Sequence, residues 1–351
     1  MALIVVYPGN AVVGGMASVV SDFNKEFIKL ETDLYYVCTH DKKARWSFFS
    51  LAKSLCFFVY LCIFKSIDAI HIHTASNGSF YRKSIFCVLG NAFHIRVVMH
   101  MHGGAFAIFY DNSNYIIKKF VQYIICKKVT CLVVLSESWF NWFTDNFKFI
   151  NDPVVVRNSV EQVISDPIEI NKSSDFKIVF VGRVVESKGV FDLLQAYSNL
   201  PFLSNTNLTI VGPYDQLIMN SKLNSYGLTG KVRLLGALKR EDTLQEIVNS
   251  DVLVLPSYNE GLPITVIEAM ACCTAVIATN VGGIPDMIQH RVNGLLFNPG
   301  DVSVLTDLLD LLMSNDLLKN KLACQGYETW KDKYTFEKNF PVIINVLNGA
   351  K

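Results

Sequence analysis

The stretch DVLVLPSYNEGLPITVIEAMA, residues 251–271, contains the pattern from which the fold of the whole chain can be predicted. Asp251–Leu255 has the length and branching of a buried strand, and Pro256 and Gly261 end it in a turn. A helix is expected to begin near Pro263, because proline suits the first helical turn. A buried strand, a turn and a helix in this order form the repeating unit of parallel α/β sheets.

Two glutamates, Glu260 and Glu268, lie on either side of the start of this helix. Glu260 lies in the turn after the strand, and Glu268 lies about one and a half turns into the helix at ~3.6 residues per turn. Open α/β sheets bind their ligands at the carboxyl ends of the strands. An isolated pair of glutamates with this spacing is more often solvated than functional, so its interpretation as a site depends on the surrounding residues.

Short apolar runs alternate with longer helical patterns along the rest of the chain, which indicates βα units. The first series of predicted strands comprises Leu3–Tyr7, Leu34–Cys38, Ala69–His73, Arg96–His100, Cys131–Leu135 and Val154–Val156. The second series comprises Lys177–Val181, Leu208–Val211, Val232–Leu234, Asp251–Leu255 and Ala275–Ala278. Two such series predict two doubly wound α/β domains.

The length and composition agree with two domains. A chain of 351 residues exceeds the size of an ordinary single core, and 51% hydrophobic against 18% charged residues excludes a disordered chain. We place the first domain at residues 1–157, a linker without periodicity at 158–175 and the second domain at 176–334.

Two cations, Arg183 and Lys188, stand between Gly182 and Gly189, where a strand ends and a helix is expected to begin. Backbone amides and the helix dipole favour an anion at such a junction. Arginine can bind phosphate oxygens bidentately, and lysine adds a mobile point charge. The segment therefore predicts a diphosphate site, and its alternative interpretation is a surface turn with two solvated cations.

The G-R-x4-K-G segment, the glutamate pair and the turn Val281–Asp286 together resemble the signature of the family 4 retaining glycosyltransferases. The resemblance covers nearly the whole chain and is strongest from Lys177 to Pro299. It implies an α/β chain with the GT-B fold, in which two Rossmann-like domains face each other across a deep cleft. It also implies that the first domain binds the acceptor and that a last helix, residues 335–351, packs back on that domain.

The resemblance assigns roles to the charged residues. Arg183 and Lys188 would bind the donor diphosphate, and Glu268 would accept hydrogen bonds from the ribose hydroxyls. Glu260 would contact the hydroxyls of the transferred sugar near the developing positive charge. Carboxylates suit both tasks, because ionised carboxylates are pure acceptors.

A glycine pair, Gly14 and Gly15, follows the first predicted strand and opens a helix. Glycines at such a place let a substrate approach the backbone. The pair is weak evidence alone, since the dinucleotide fingerprint G-x-G-x-x-G is absent. In similar glycosyltransferases this loop contacts the donor diphosphate, and we expect the same of Gly14 and Gly15.

Four histidines form two H-x-H pairs, His71 with His73 and His100 with His102, near the ends of predicted strands. A zinc site is one interpretation, but no further Cys or His with the expected spacing accompanies the pairs, and we predict no metal. Hydrogen-bonded imidazoles are the commoner interpretation and suit His71 and His100. The segment Val97–Gly104 resembles the family's histidine-glycine motif, which implies that His102 meets the donor sugar near the reacting carbon.

The basic half of the chain contains two runs that could lie on a membrane. Residues 1–157 hold 16 Lys and Arg against 10 Asp and Glu, whereas residues 158–351 hold 16 against 21. The runs Ser54–Phe64 and Ile116–Lys128 are aromatic or apolar, carry or adjoin lysines, and are too short to cross the ~20-residue span of a bilayer. They are either helices that bind anionic lipid or core helices whose lysines face solvent, and the sequence leaves both open.

The resemblance predicts a retaining, metal-independent glycosyltransferase that moves a sugar from a nucleotide-diphosphate sugar to a hydroxyl of a lipid-linked oligosaccharide, as polysaccharide and O-antigen synthesis requires. No D-x-D motif is present, and we expect no cofactor, no nucleic acid partner and either front-face or double-displacement chemistry. A nucleotide-sugar 2-epimerase and a non-catalytic sugar-nucleotide binder are the alternatives. A location in the cytoplasm, on the inner face of the membrane, is expected because no signal peptide is recognisable.

Two further predictions concern the cysteines and the turn after the helix that carries Glu268. Nine cysteines without a C-x-x-C pair are expected to be reduced and structural. Family members usually have a glycine and a proline after the helix of the second glutamate, where this chain has Cys272 and Cys273. We expect a slightly different turn there.

Overall fold

The computed structural model describes residues 1–8, 15–39, 47–164, 175–201 and 205–350. The chain forms two compact units: unit 1 comprises Met1–Asn158 and Phe336–Lys351, and unit 2 comprises Ser159–Thr335. Residues 165–174 of the predicted linker lie outside the described residues. At the start of that linker, Ser159 and Val160 are buried in unit 2 and bond to the backbone of Thr335 and Tyr334.

Unit 1 contains a six-stranded parallel sheet in the order β2-β1-β3-β4-β5-β6. Its strands are Ala2–Tyr7 (β1), Asp33–Cys38 (β2), Ala69–Thr74 (β3), Arg96–Met101 (β4), Cys131–Val134 (β5) and Val154–Val155 (β6). The helices are Gly15–Lys29 (α1), Ser47–Phe64 (α2), Gly78–Ala92 (α3), Phe106–Asp111 (α4), Tyr115–Lys127 (α5) and Glu137–Asn146 (α6). The strand order reverses between β1 and β3, which makes their carboxyl ends the expected ligand edge of this sheet.

Unit 2 contains a second six-stranded parallel sheet in the order β12-β11-β10-β7-β8-β9. Its strands are Phe176–Val181 (β7), Thr206–Val211 (β8), Val232–Gly236 (β9), Val252–Leu255 (β10), Ala275–Thr279 (β11) and Leu295–Phe297 (β12). The helices are Val190–Ser198 (α7), Gln216–Ser225 (α8), Arg240–Val248 (α9), Ile264–Ala271 (α10), Ile284–Met287 (α11), Val302–Ser314 (α12) and Asp316–Lys333 (α13). The order reverses between β7 and β10, so the ligand edge is expected where these two strands end.

All strands predicted from the sequence are confirmed, with small differences at their ends. Sequence reasoning missed β12, because a run of three residues is too short to show a period. The central strands β7 and β10 are buried almost throughout, as parallel strands covered by helices on both faces must be.

The last helix, Phe336–Asn348 (α14), belongs to unit 1 and packs on β3 and β4. The ring of Phe340 lies 5.2 Å from that of Phe27, and the Arg96 Nε donates to the Val346 carbonyl over 2.7 Å. The helix contains Pro341 and still buries one apolar face against the sheet.

The turn after α10 contains Cys272 and Cys273, where the sequence departs from the glycine and proline of the family that it resembles. Cys273 has a φ of 54°, a left-handed conformation that glycine adopts without strain. The turn thus keeps a backbone shape suited to glycine while carrying a thiol, which costs about 1 kcal/mol of backbone strain. Burial raises the pKa of the Cys273 thiol to about 12.

Helices α2 and α5 have features of core helices and also features of helices that bind lipid. Each buries one face in the core, through residues such as Phe58 and Val121. Their outer faces expose large apolar side chains: Phe49, Phe57, Tyr60, Ile63 and Phe64 on α2, and Tyr115, Ile116, Phe120 and Tyr123 on α5. Within the described part of the chain, no helix has both the length and the hydropathy needed to cross a bilayer.

Candidate active site

The strongest ion pair of the candidate site joins the end of β7 to the end of β10. The Lys188 Nζ lies 2.6 Å from Glu260 Oε1, and the buried hydroxyl of Ser257 donates to the same oxygen over 2.7 Å. Lys188 ends a short 3-10 turn, Glu186–Lys188, and Glu260 lies in the turn before α10. The structure therefore brings two of the predicted site residues together where the strand order of unit 2 reverses.

Close backbone contacts fix the turns that carry this pair. A Cβ on Gly189, whose φ is 64°, would lie 1.9 Å from the Pro256 carbonyl oxygen. A Cβ on Gly282, whose φ is 55°, would lie 1.8 Å from the Glu260 carbonyl oxygen. Only glycine fits at either position, so the turns after β7, β10 and β11 pack directly on one another. The Gly283 amide also donates to the Gly261 carbonyl over 2.8 Å.

The second glutamate, Glu268, is buried on α10 and pairs with an arginine that sequence reasoning missed. The Arg240 Nε lies 3.2 Å from Glu268 Oε1, and Arg240 is the first residue of α9. Nothing in the spacing of Arg240 relative to the motifs indicates this contact, because it depends on how α9 packs on α10. The contact joins the start of α9 to the middle of α10.

The other predicted cation of unit 2, Arg183, is exposed just after β7. It lines a cavity of 580 Å³ together with Tyr214, Lys222 and Glu186 among others. None of the ion pairs found among the described residues includes Arg183, so its guanidinium is available to an anionic ligand. The structure does not bring Arg183 into contact with Glu260 or Glu268.

The four histidines of the two H-x-H pairs form one cluster on β3, on β4 and directly after β4. His71 Nε2 lies 3.3 Å from His100 Nδ1, and His73 Nδ1 lies 2.8 Å from His102 Nε2. The predicted hydrogen bonding of His71 and His100 is therefore confirmed. Burial lowers the pKa of His71 and His102 to about 3, with neighbouring charges adding to the shift of His102, so both imidazoles are neutral near pH 7.

Three of these imidazoles could hold a metal ion, because nitrogens of His71, His73 and His100 lie within 4.8 Å of one another. The sequence showed only pairs, and the pairing of β3 with β4 brings them together. No carboxylate takes part in this group, and burial leaves a divalent charge uncompensated there. The absence of a resident metal stays a prediction.

The glycine pair is only partly described. Gly15 is the first residue of α1 and is exposed, whereas Gly14 lies outside the described residues. The role assigned to both glycines stays a prediction.

Unit 2 thus carries a prearranged set of charges at its ligand edge. A lysine and an arginine lie after β7, one carboxylate follows β10, and a second carboxylate lies one helix turn further on. Cations of this kind stabilise a leaving phosphate, and fixed carboxylates orient sugar hydroxyls.

Comparison with known proteins agrees with this arrangement. Residues 164–329 match the family model of the glycosyl transferases group 1. An uncharacterized glycosyltransferase of Methanocaldococcus jannaschii, MJ1607, is 29% identical over 239 residues, which are 65% of this chain and 61% of that protein. The N,N'-diacetylbacillosaminyl-diphospho-undecaprenol alpha-1,3-N-acetylgalactosaminyltransferase of Campylobacter jejuni is 28% identical over 171 residues, 49% of this chain and 44% of that protein. The matches thus span less than two thirds of either relative.

Solved structures share the fold over nearly the whole chain. Sucrose-phosphate synthase from Thermosynechococcus elongatus has a TM-score of 0.82 at 18% identity, covering 99% of this chain and 98% of that one. Alr3699/HepE of Anabaena, solved with UDP-glucose, has a TM-score of 0.78 at 14% identity, covering 99% and 100%. Identities this low show the fold alone, and they confirm the predicted GT-B fold.

Proposed function

We propose that this protein is a retaining glycosyltransferase that moves a sugar from a nucleotide-diphosphate sugar to a hydroxyl of a lipid-linked oligosaccharide in polysaccharide biosynthesis. The observation that carries the proposal is the Lys188–Glu260 pair at the strand reversal of a unit whose sequence matches a glycosyltransferase family model. Anabaena HepE, which shares the fold, has been solved with UDP-glucose.

In the proposed reaction the bond between the anomeric carbon and the β-phosphate breaks, and negative charge grows on the departing diphosphate. Lys188 and Arg183 stabilise that charge, and each preorganised donor contributes on the order of 3 kcal/mol. Glu260 holds the ammonium in position before the donor arrives and then faces the developing positive charge on the sugar. Glu268, oriented by Arg240, accepts hydrogen bonds from the ribose.

The acceptor hydroxyl then forms the new bond on the face that the diphosphate has left, and the diphosphate takes its proton. This order retains the anomeric configuration without a protein nucleophile. A double displacement would need a carboxylate on the opposite face, as retaining glycosidases have. His102 is proposed to contact the donor sugar, and the side-chain cations take the part that a divalent ion plays in other sugar transferases.

A lipid-linked acceptor is supported by two observations. The Campylobacter jejuni relative is named for transfer to a diphospho-undecaprenol saccharide. The outer faces of α2 and α5 expose aromatic side chains beside lysines, and the Lys119 Nζ lies 5.4 Å above the Tyr115 ring. Apolar and cationic groups on one face suit an anionic membrane, so we propose a peripheral location on its inner, cytoplasmic face.

A panel of nucleotide sugars tests whether the protein uses a nucleotide-sugar donor, and which one. We expect one donor to raise the melting temperature and to be hydrolysed slowly, and to react fully once a lipid-linked saccharide is added. The anomeric configuration of the product, measured by NMR, is expected to equal that of the donor. Isomerised nucleotide sugar formed without acceptor would identify an epimerase, and binding without turnover would identify a non-catalytic binder.

Flotation with vesicles tests the membrane part. The protein is expected to bind vesicles that contain phosphatidylglycerol and to bind neutral vesicles weakly. Exchange of Phe57 and Phe64 on α2 for serine should weaken binding about tenfold or more, because each buried aromatic contributes ~1.5–3 kcal/mol. The control exchanges Leu217 of α8 in unit 2, which is 82% exposed against 43% for Phe57 and 68% for Phe64, and should change nothing. Equal binding of all variants would contradict the proposed surface.

A further inference from the structure

The start of helix α3 lies at the ligand edge of unit 1 and has no side-chain cap. Its N-cap residue, Asn77, has a φ of 54° and makes no capping hydrogen bond, although asparagine is a preferred cap. Helices α5 and α6 of the same unit are capped by Asn114 and Ser136. The α3 helix follows β3, where the strand order reverses, so its first-turn amides face the place where α/β sheets bind ligands.

A fully buried lysine lies against this helix start. The Lys83 Nζ donates to the Ser79 hydroxyl, in the first turn, over 2.9 Å. No ion pair among the described residues gives Lys83 a carboxylate. Burial, followed by the charge of Arg82, lowers the pKa of Lys83 to about 7. An ammonium without a counter-ion is costly to bury, which indicates that an anion completes its surroundings.

A second cation, Arg82, turns back on the same helix start. Its Nη1 lies 3.2 Å from the position that a Cβ on Gly78 would occupy. Its Nε is buried and has no hydrogen-bond partner in the described part of the protein. Two cations and the positive end of a helix dipole therefore converge, and the donors they leave unsatisfied suit the oxygens of a phosphate.

The chain around this helix start also adjoins the histidine-glycine segment. The His102 amide donates to the Thr74 carbonyl over 2.8 Å, and a Cβ on Gly103 would lie 3.1 Å from the Ala75 Cα. On the outer side of α3, the exposed ring of Tyr81 stacks on that of Phe120 of α5, with centroids 6.0 Å apart. The two cations at the start of α3 thus lie between the His102 segment on one side and an apolar surface on the other.

We propose that Lys83, Arg82 and the first turn of α3 bind the diphosphate of a lipid-linked acceptor, whose isoprenoid chain lies on the apolar surface of α3 and α5. The assignment to the acceptor rests on the proposed function, while the anion site itself rests on the geometry. A phosphate there places the attached acceptor sugar beside His102, the residue proposed to meet the donor sugar. Lys83 and Arg82 are accordingly acceptor-binding residues.

Titration calorimetry with farnesyl diphosphate on the full chain tests the site, with Lys83→Met and Arg82→Gln as site variants. Lys25→Met, which removes an exposed lysine on α1, is the matched control. We expect each site variant to bind farnesyl diphosphate about tenfold or more weakly, since each loses a charge-assisted hydrogen bond. The control should bind like the wild type.

Farnesol, which lacks the diphosphate, should bind all four proteins equally and weakly. Melting temperatures show whether the variants fold. If Lys83→Met does not fold, Arg82→Gln alone decides the test.

Three results would overturn the proposal. Unchanged affinity for farnesyl diphosphate in both site variants would show that Lys83 and Arg82 bind no phosphate. Weaker binding of the nucleotide sugar instead would assign these two cations to the donor. A loss confined to phosphatidylglycerol vesicles would assign them to lipid headgroups. Slow hydrolysis of the donor distinguishes a failure of this inference from a failure of the proposed function. If every variant still hydrolyses the donor and binds farnesyl diphosphate as the wild type does, only the α3 site is refuted. If the wild type hydrolyses no donor, the proposed function is refuted.

Discussion

The ligand edges of the two units differ in how their charges are balanced. In unit 2, Lys188 contacts Glu260 and Arg240 contacts Glu268, whereas Arg183 takes part in no ion pair among the described residues. In unit 1, Lys83 and the buried Nε of Arg82 have no carboxylate among the described residues. Two cations of the first edge therefore have a carboxylate beside them, whereas no described carboxylate balances Lys83 and Arg82 at the second edge.

This difference has a physical consequence for each edge. Paired charges hold side chains in place and lower the reorganisation that a bound donor would require. Unpaired buried cations reduce the stability of the free protein and return that free energy when a ligand binds. We therefore expect substitutions in unit 2 to lower activity or stability, and removal of the charge of Lys83 to raise stability.

The largest loss of stability is expected from Gly282→Ala, which disrupts the packing of the turns in unit 2. The new Cβ would lie 1.8 Å from the Glu260 carbonyl oxygen at a φ of 55°, so strain and steric overlap should cost about 3 kcal/mol or more. Gly230→Ala is the control, because its φ is 75° but nothing lies within 4 Å. It should cost about 1 kcal/mol. Chemical denaturation measures both, and equal losses would show that the close contact has no energetic role.

Glu260→Gln tests whether the paired carboxylate of unit 2 acts in the reaction. The substitution keeps the shape and the hydrogen bond from Ser257 while removing the charge. We expect kcat for transfer to fall about 100-fold to 1,000-fold, with the melting temperature nearly unchanged. Glu246→Gln removes a carboxylate from the more exposed pair with Arg233 and should leave kcat as it is. Full activity of Glu260→Gln would remove Glu260 from the mechanism.

Arg240→Met tests the pair that sequence reasoning missed. Glu268 would keep its place on α10 but lose the cation that orients it. The KM for the nucleotide sugar should rise about tenfold, the equivalent of one charge-assisted hydrogen bond, while kcat stays within about twofold. A fall in kcat with unchanged KM would mean that Arg240 serves the reaction step and not donor binding.

Lys83→Met tests the unbalanced edge through the pH dependence of stability. The pKa of Lys83 is about 7 in the folded protein against an ordinary 10.5. Between these values the unfolded chain binds more protons, so the stability of the wild type rises with pH. The advantage of Lys83→Met at pH 7 should therefore shrink by as much as about 3 kcal/mol towards pH 10.

Nearby groups could obscure this trend. Burial lowers the pKa values of His73 and His102, so both imidazoles stay neutral between pH 7 and pH 10. Cys38, which interacts electrostatically with Lys83, is replaced by comparing both proteins in a Cys38→Ser background. A constant difference between pH 7 and pH 10, measured by denaturation, would contradict the account of Lys83.

The sequence predicted the fold well, because parallel strands buried on both faces are continuous apolar runs. It also predicted that Lys188 and Glu260 belong to one site, since both follow strands that end at the same edge. Arg240 and Ser257 were missed as partners, because their contacts depend on side-chain packing of α9 and of the turn itself. Lys83 and Arg82 were missed for the same reason: adjacent cations on a helix usually face water.

The central claim, that cations after β7 bind the donor diphosphate, is tested most directly by calorimetric titration of one ligand. The ligand is the nucleoside diphosphate of the donor that the panel identifies, and the proteins are the wild type, Lys188→Met, Arg183→Met and the control Arg233→Met. We predict that both site variants bind it about tenfold or more weakly and that the control binds it normally. Equal affinity in Lys188→Met and the wild type would contradict the claim.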